Sequence, residues 1–344
     1  MTQLVVGGAG FIGANLADHL LESGSDVVIA DDFSRVGSRE NVRWLSTRHA
    51  GLRVEAADVA RGPEVLEPLV RGASVVYHFA GQVAVTKSIE DPRRDFEVNA
   101  LGTLNLLEAV RAANPEAVLV YASTNKVYGA LEDLPVEEED TRYAFSGGRT
   151  GIDEGQPLDF HSPYGCSKGA ADQYVADYSR TYGLRTIVLR QSCIYGQRQF
   201  GVEDQGWLAW FAIAAALGRE ITIFGDGKQV RDVLHVDDLV DLIGRAVAKS
   251  ESVRAQVYNV GGGPEAAVSL LEAIGLIERH LGRPLDVSFS EARTGDQRIY
   301  VSDTRRARDE LGWQPRVGVR DGIAQLMGWI EANRSLFAVE SSPA

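Results

Sequence analysis

The chain has 344 residues, 44% hydrophobic and 24% charged, which allows two domains with a sizeable core and excludes a disordered chain. A formal net charge of −13 argues against a general nucleic-acid partner, and no apolar run reaches the ~18–20 residues that a membrane span needs, so neither nucleic acid nor membrane is an expected partner. After Met1 the chain enters a strand-like run in place of a secretory leader, and Cys166 and Cys193 cannot build a disulfide framework or a cysteine zinc site, so a soluble protein of the reducing cytoplasm is expected.

Short, mostly β-branched runs at Leu4–Val6, Val27–Ala30, Leu52–Ala56, Val75–Phe79 and Val118–Ala122 predict buried strands. Helical patterns at Ile12–Leu21, Glu40–Leu45, Glu64–Val70 and Phe96–Ala112 alternate with them, which means βαβ units and a parallel sheet. A helix over 164–182 and a strand at Leu184–Arg190 extend the series. Beyond Arg190 the rhythm loosens. Helices are expected at Trp207–Leu217, Val236–Ala248, Leu270–Leu281 and Val319–Ala332, and strands at Ile221–Phe224 and Val257–Val260, the latter ending in the turn Gly261-Gly262-Gly263. Glu137–Asp140 reads as a solvated loop, and 335–344 as a loose tail.

The first strand runs into Gly7-Gly8-Ala9-Gly10-Phe11-Ile12-Gly13, with a helical pattern directly after it. Gly7, Gly10 and Gly13 allow a tight turn, a close approach of backbone N–H groups to a pyrophosphate, and close packing of helix on strand. The helix N-terminus, with Phe11 and Ile12 in its first turn, places partial positive charge at those phosphates. At the end of the second strand, Asp31 and Asp32 can accept hydrogen bonds from the adenosine ribose and repel a 2′-phosphate, which favours NAD over NADP. Arg35 nearby reads as a solvated loop residue. Asp58 and Val59 follow the third strand, where an adenine ring would be gripped. Phe79, Ala80 and Gly81 follow the fourth, where small residues let the chain pass the cofactor, and Gln82 next to them reaches toward substrate. His78 reads as a satisfied core histidine. These features predict an α/β fold, a Rossmann-type doubly wound parallel sheet with a smaller mixed α/β C-terminal substrate lobe. The expected division is an NAD-binding part at 1–190, rejoined by about 232–262, and a substrate lobe from 191–231 and 263–334.

Tyr164 and Lys168 stand four apart on one predicted helix face. A free phenol with a pKa near ~10 is a poor base at neutral pH, and lowering it by roughly three units needs about 4 kcal/mol of differential stabilisation from a nearby cation. Ser123 and Thr124 end the fifth strand, where a hydroxyl can hydrogen-bond the substrate oxygen while Tyr164 takes its proton. His235-Val236-Asp237-Asp238 has no matching ligand cluster elsewhere and reads as a helix cap; no metal is expected.

The strings Ser123-Thr124-Asn125-Lys126-Val127-Tyr128-Gly129, Leu158 to Tyr174, Gly227 to His235, and Asp296-Gln297-Arg298 resemble extended short-chain dehydrogenases/reductases that act on nucleotide sugars, above all the CDP-tyvelose (CDP-paratose) 2-epimerase group. The resemblance runs from Leu4 to about Trp329. It implies bound NAD, a nucleoside-diphosphate sugar substrate, catalytic Thr124, Tyr164 and Lys168, and a homodimer or homotetramer. Sugar-nucleotide 4,6-dehydratases carry an Asp-Glu pair directly after the threonine; Asn125 and Lys126 stand there in this chain, so elimination is disfavoured and epimerisation remains. The expected reaction is transient oxidation to a keto sugar and re-reduction on the opposite face at C2 of a CDP-deoxyhexose. A UDP-sugar 4-epimerase and a non-catalytic NAD(H)-binding sensor are the competing readings. In the C-terminal lobe Arg231 and Arg293 are expected to hold the diphosphate, and Gln205, Trp207, Gln229 and Asp296 to touch base, ribose or sugar, with packing an equal reading for Trp207. Asn125 and His161 are expected sugar contacts. Gln191-Ser192-Cys193 departs from the His-Ser-Ser of the tyvelose type, and Cys193 reads as a small filler.

Overall fold

A computed structural model describes residues 2–252, 256–293 and 296–337. The first half contains β1 (Thr2–Val6), α1 (Phe11–Glu22), β2 (Asp26–Asp31), α2 (Ser38–Arg48), β3 (Arg53–Ala56), α3 (Pro63–Val70), β4 (Ala73–His78), α4 (Val85–Glu90), α5 (Pro92–Phe96), a π-helical turn at Glu97–Leu101, α6 (Gly102–Ala113) and β5 (Val118–Thr124). After a short 3-10 turn at Asn125–Tyr128 come β6 (Val136–Glu138), β7 (Tyr143–Phe145), α7 (Ser162–Tyr182), β8 (Arg185–Gln191) and β9 (Cys193–Tyr195). The remainder contains α8 (Trp207–Leu217), β10 (Ile221–Phe224), β11 (Val230–His235), α9 (Val236–Ala248), β12 (Gln256–Val260), β13 (Ala267–Ser269), α10 (Leu270–Leu281), β14 (Val287–Ser290), β15 (Ile299–Tyr300), α11 (Arg305–Leu311) and α12 (Val319–Ala332).

Seven strands form one sheet in the order β12-β8-β5-β4-β1-β2-β3, and all six pairings are parallel. The alternation of side chains along β1 shows why helices cover both faces: Val5 packs on one side with Ala14, Leu16 and Leu239, while Leu4 and Val6 pack on the other with Leu66, Leu106 and Val175. The doubly wound parallel sheet is therefore the one that the strand-helix rhythm predicted. The β12 strand lies beside β8, so the chain does return to the first sheet after its excursion. A separate core forms around α8, α10 and α12, with Ala212, Ile274 and Leu326 buried in it.

Several expectations are corrected. β3 is an edge strand with its side chains largely exposed, because nothing pairs beyond it. The helix expected over Phe96–Ala112 begins earlier, at Pro92, and carries the π-helical turn. Glu137 and Glu138 belong to β6, paired with β7, and Lys228 holds Glu138 at 2.7 Å, so this acidic run is not simply a loop. β11, read only as a motif, is a fully buried strand pairing with β9, β13 and β15. The chain at 334–337 is not a loose tail: it makes a 3-10 turn whose Phe337 ring packs 5.4 Å from Phe200 and 5.6 Å from Trp329. Residues 338–344 lie outside the described residues.

Under the sheet's carboxyl edge, Asp172 of α7 meets Arg190 of β8 in a buried bidentate pair, Nε to Oδ2 and Nη2 to Oδ1 both at 2.9 Å. Burial works against the guanidinium's charge, but Asp172 and the Tyr128 oxygen raise its pKa above the ordinary arginine value. Removing one partner of such a pair leaves an uncompensated charge and costs about 3–5 kcal/mol, whereas an exposed pair such as Arg53–Asp26 is screened by water and contributes little. Urea unfolding is expected to show Arg190→Met destabilised by about 3–5 kcal/mol, with the Arg53→Met midpoint close to that of the wild type.

Candidate active site

The carboxyl ends of β1, β2, β4, β5 and β8 open into a groove of about 510 Å³. Gly7, Gly10, Phe11, Ile12, Gly13, Asp31, Asp32, Asp58, Val59, Phe79, Ala80, Gly81, Tyr164 and Lys168 all line it, so the sequence-predicted cofactor residues converge on one cleft. Gly7 has φ +80°, and a Cβ there would lie 2.3 Å from the Ala80 nitrogen; at Gly13 a Cβ would lie 2.3 Å from the Gly7 oxygen. Only glycine permits that approach. Gly10 is the N-cap of α1 and offers no side-chain cap, so the first N–H groups of the helix face the groove without an internal acceptor. A pyrophosphate fits that cradle by charge and by hydrogen-bonding capacity.

The carboxylates around the groove differ in their work. Asp31 accepts from Ala9 N at 3.0 Å and Phe33 N at 2.8 Å, so it braces the glycine turn; burial raises its pKa. Asp32 is more exposed and faces Arg94 at 3.7 Å. Asp58 caps the turn at Val59–Arg61 through Ala60 N and also faces Arg94, at 3.5 Å. Arg35 is not an idle loop residue: it bonds Gln205, and its charge reaches Tyr164. Gln205, expected at the substrate, lines the same groove. The reason is the segment before α8, which crosses back over the β2 loop with Phe200 packed on Gly37.

At the inner end of the groove stands Tyr164 of α7, and Thr124, the last residue of β5, favours the ionised form of the tyrosine's phenol. Lys168 Nζ donates to the Ala122 oxygen at 2.6 Å and stands 4.3 Å from the Tyr121 ring centroid. The expected lowering of the Tyr164 pKa is overturned for the chain alone. Burial pushes the phenol up to about 12, the Thr124 hydrogen bond and Arg35 oppose this, and the nearby Asp95 adds to it. Desolvation outweighs the Arg35 charge, and Lys168 itself is pushed down to about 7 by burial against the pull of Asp172 and Asp95. His78 is a buried core histidine, 2.9 Å from Thr103 Oγ1, held down at about 3 by burial and Lys168.

Behind this pair lies a network that the sequence did not disclose. Buried Asp95 accepts from Ser167 at 2.5 Å, from Gln82 at 3.0 Å and from Asn99 at 3.1 Å, and Asn99 also donates to the Ser167 oxygen. Gln82 is thus turned toward Asp95 and its own loop. The π-helical turn that aims Asn99 has no periodic signature, so no motif could reveal it.

The predicted substrate residues gather only in part. Asn125 is buried and donates to Gln297 at 3.3 Å, and Arg231 bonds Asp296 at 2.6 Å. Trp207 donates to Cys193 Sγ at 3.3 Å, and burial raises that thiol's pKa, which fits a filler. Arg293 stands over the Phe224 ring at 4.0 Å and pairs with Asp204 at 3.1 Å. Gln229 braces the Phe224 oxygen at 2.8 Å. His161 pairs with Asp159 at 2.9 Å, half exposed at the start of α7. His235 caps α9 through Asp237 N, as its sequence suggested.

With a glycine cradle, paired carboxylates, Tyr164 and Lys168 on one cleft, kinship is decided by one match: the family described as GDP-mannose 4,6 dehydratase matches residues 4–326. The chain belongs to that family. Within it, the CDP-paratose 2-epimerase of Salmonella typhi is 42% identical over 335 residues, covering 96% of this chain and 99% of that protein. Among solved structures of the same kind, the Thermus thermophilus UDP-glucose 4-epimerase complex with NAD aligns with a TM-score of 0.80 and 32% identity, covering 96% of this chain and 98% of that one. The Streptomyces venezuelae dTDP-glucose 4,6-dehydratase with NAD and TYD bound aligns with a TM-score of 0.85 and 29% identity, covering 97% and 98%. A GDP-mannose 4,6 dehydratase family member thus presents these residues on an extended short-chain dehydrogenase/reductase fold.

The Lys168 value carries a stability signature. The folded chain releases this proton near pH 7, the unfolded chain near ~10.4. Between them the unfolded chain binds more protons, so this group adds stability as pH rises through that window and contributes a constant below it. For protein stripped of nucleotide, the stability difference between wild type and Lys168→Met is expected to grow in favour of wild type from pH 7 to 10; a flat difference contradicts it.

Proposed function

We propose that the protein is an NAD-dependent epimerase of a nucleoside-diphosphate sugar that inverts C2 of a CDP-linked deoxyhexose of the paratose/tyvelose kind. The observation that carries this reading is that Tyr164 and Lys168 line the glycine-lined groove, while Thr124 acts on the Tyr164 phenol and is followed by Asn125 and Lys126 in place of an acidic pair. Kinship to the Salmonella CDP-paratose 2-epimerase supports the choice of base and carbon. NAD is the cofactor. The glycine turn and the α1 N-terminus would hold its pyrophosphate, Asp31 and Asp32 its adenosine ribose, Asp58 and Val59 its adenine, and Lys168 its second ribose. When bound, NAD takes up and returns the two electrons and the hydrogen of the reacting carbon, and its oxidised ring supplies positive charge toward the Tyr164 oxygen.

The chain's own groups handle the proton and the orientation. Tyr164 removes the sugar hydroxyl proton while Thr124 hydrogen-bonds the same oxygen. With no carboxylic acid after Thr124, no group is placed to expel water from the neighbouring carbon. The keto sugar turns its other face while Arg231 and Arg293 keep the diphosphate in place. Tyr164 then returns the proton, and no net oxidation results. We further propose an NAD-binding part at 1–190 and 232–262, a substrate lobe at 191–231 and 263–334, a homodimer or homotetramer, and a cytoplasmic location. Among the described residues no helix is long and apolar enough to cross a membrane.

Incubation with CDP-, UDP-, GDP- and dTDP-hexoses, followed by NMR of the sugar ring, is expected to show inversion at C2 of a CDP-sugar. Inversion at C4 of a UDP-sugar would establish the 4-epimerase instead. Tyr164→Phe is expected to lower kcat by about 10²–10⁴. Unchanged ligand binding and cellular output in that variant, with no turnover in wild type, would favour the sensor.

A further inference from the structure

Lys126 entered the sequence reading only as a residue that cannot act as an acid. In the structure it belongs to a cluster. Its Nζ stands 3.6 Å from Asp296 Oδ1, and the same oxygen accepts from Arg231 Nη2 at 2.6 Å. Two cations share one carboxylate, which leaves one positive charge in excess, and Cys193 close by adds no formal charge in its thiol form. Burial lowers the Lys126 pKa, with Arg231 adding to that effect and Asp296 opposing it. At 3.6 Å the pairing with Asp296 is loose, so the ammonium retains donors for a further acceptor.

The position of Lys126 is fixed relative to the reacting hydroxyls. Its backbone N–H donates to Thr124 Oγ1 at 3.2 Å, and it sits in the 3-10 turn Asn125–Tyr128, whose Val127 and Tyr128 are fully buried. The backbone of Lys126 is therefore fixed two residues from Thr124, and its ammonium is placed by Asp296 beside Arg231. In a sugar linked through C1 to a diphosphate, C2 is bonded to the carbon that carries the phosphate, while C4 lies across the ring. A phosphate held by the Lys126 and Arg231 cations, on the turn that follows Thr124, would favour presentation of C2 over C4.

We propose that Lys126 binds the sugar-proximal phosphate of the substrate and is a specificity-determining residue that sets which ring carbon reaches Thr124 and Tyr164; this rests on the nucleotide-sugar reading above. Calorimetric titration of the NAD-loaded protein with CDP and with CMP tests it, since only CDP carries the sugar-proximal phosphate. Lys126→Met is expected to weaken CDP binding tenfold or more while CMP binding stays within twofold, and Lys126→Arg is expected to recover part of the CDP affinity. Equal losses for CDP and CMP, or undiminished CDP binding, would overturn the proposal; Lys126→Gln provides the same comparison should the methionine variant not fold. Repeating the titrations with UDP/UMP and dTDP/dTMP separates the two levels. The base that wild type prefers tests the proposed substrate, and the diphosphate-to-monophosphate contrast tests Lys126 whichever base that is. A wild-type protein that binds no nucleoside diphosphate overturns both.

Discussion

The buried Asp172–Arg190 pair fixes the geometry on which the site depends. Asp172 lies on the helix that carries Tyr164 and Lys168, and Arg190 on the strand next to the one that ends in Thr124. Ser123 donates to the same carboxylate at 2.7 Å, Arg190 donates to the Tyr128 oxygen at 3.0 Å, and Tyr128 donates to Asn259 of β12 at 2.7 Å. Helix α7 and strands β5, β8 and β12 are thus tied through one set of satisfied polar groups in a low-dielectric interior. A network of this kind tolerates little displacement, because every loosened partner leaves a buried charge or donor unpaired. The placement of Tyr164 relative to Thr124 follows from that lock, because α7 and β5 both bond into it.

The same burial has an electrostatic cost that the reaction can use. The phenol resists ionisation and the lysine resists protonation, both for lack of water, so neither is tuned for proton transfer by the chain alone. An i, i+4 tyrosine and lysine are often taken as a preset acid–base pair. Here Lys168 spends its hydrogen bond on the Ala122 oxygen and its charge on the Tyr121 face. In the proposed reaction, proton chemistry at Tyr164 would depend on the charge that the bound cofactor brings to the groove.

The sheet was legible because its strands are short β-branched runs separated by amphipathic helices, and the glycine cradle because three glycines at fixed spacing follow such a run. The Thr124, Tyr164 and Lys168 set was legible from motif and position. What escaped depended on contacts between distant segments. β11 carries Arg231, Asp232 and His235 among its apolar residues, with no regular alternation, and is buried only because β9, β13 and β15 surround it. Asp95 and Asn99 gain their roles from a π-helical turn that has no sequence period, and Arg35 and Gln205 meet across 170 residues. Gln82, Gln229 and His161 look like ligand residues in a string, yet each already has a partner within the protein.

The central claim is that one hydrogen leaves the inverted carbon and returns to it inside a closed groove, with Tyr164 moving only the hydroxyl proton. A CDP-hexose deuterated at C2, converted in ordinary water and followed by NMR and mass spectrometry, tests this most directly. The account predicts that the inverted product keeps its deuterium at C2. Replacement of that deuterium by solvent hydrogen would mean that the carbon is inverted through an enol, and would contradict the account.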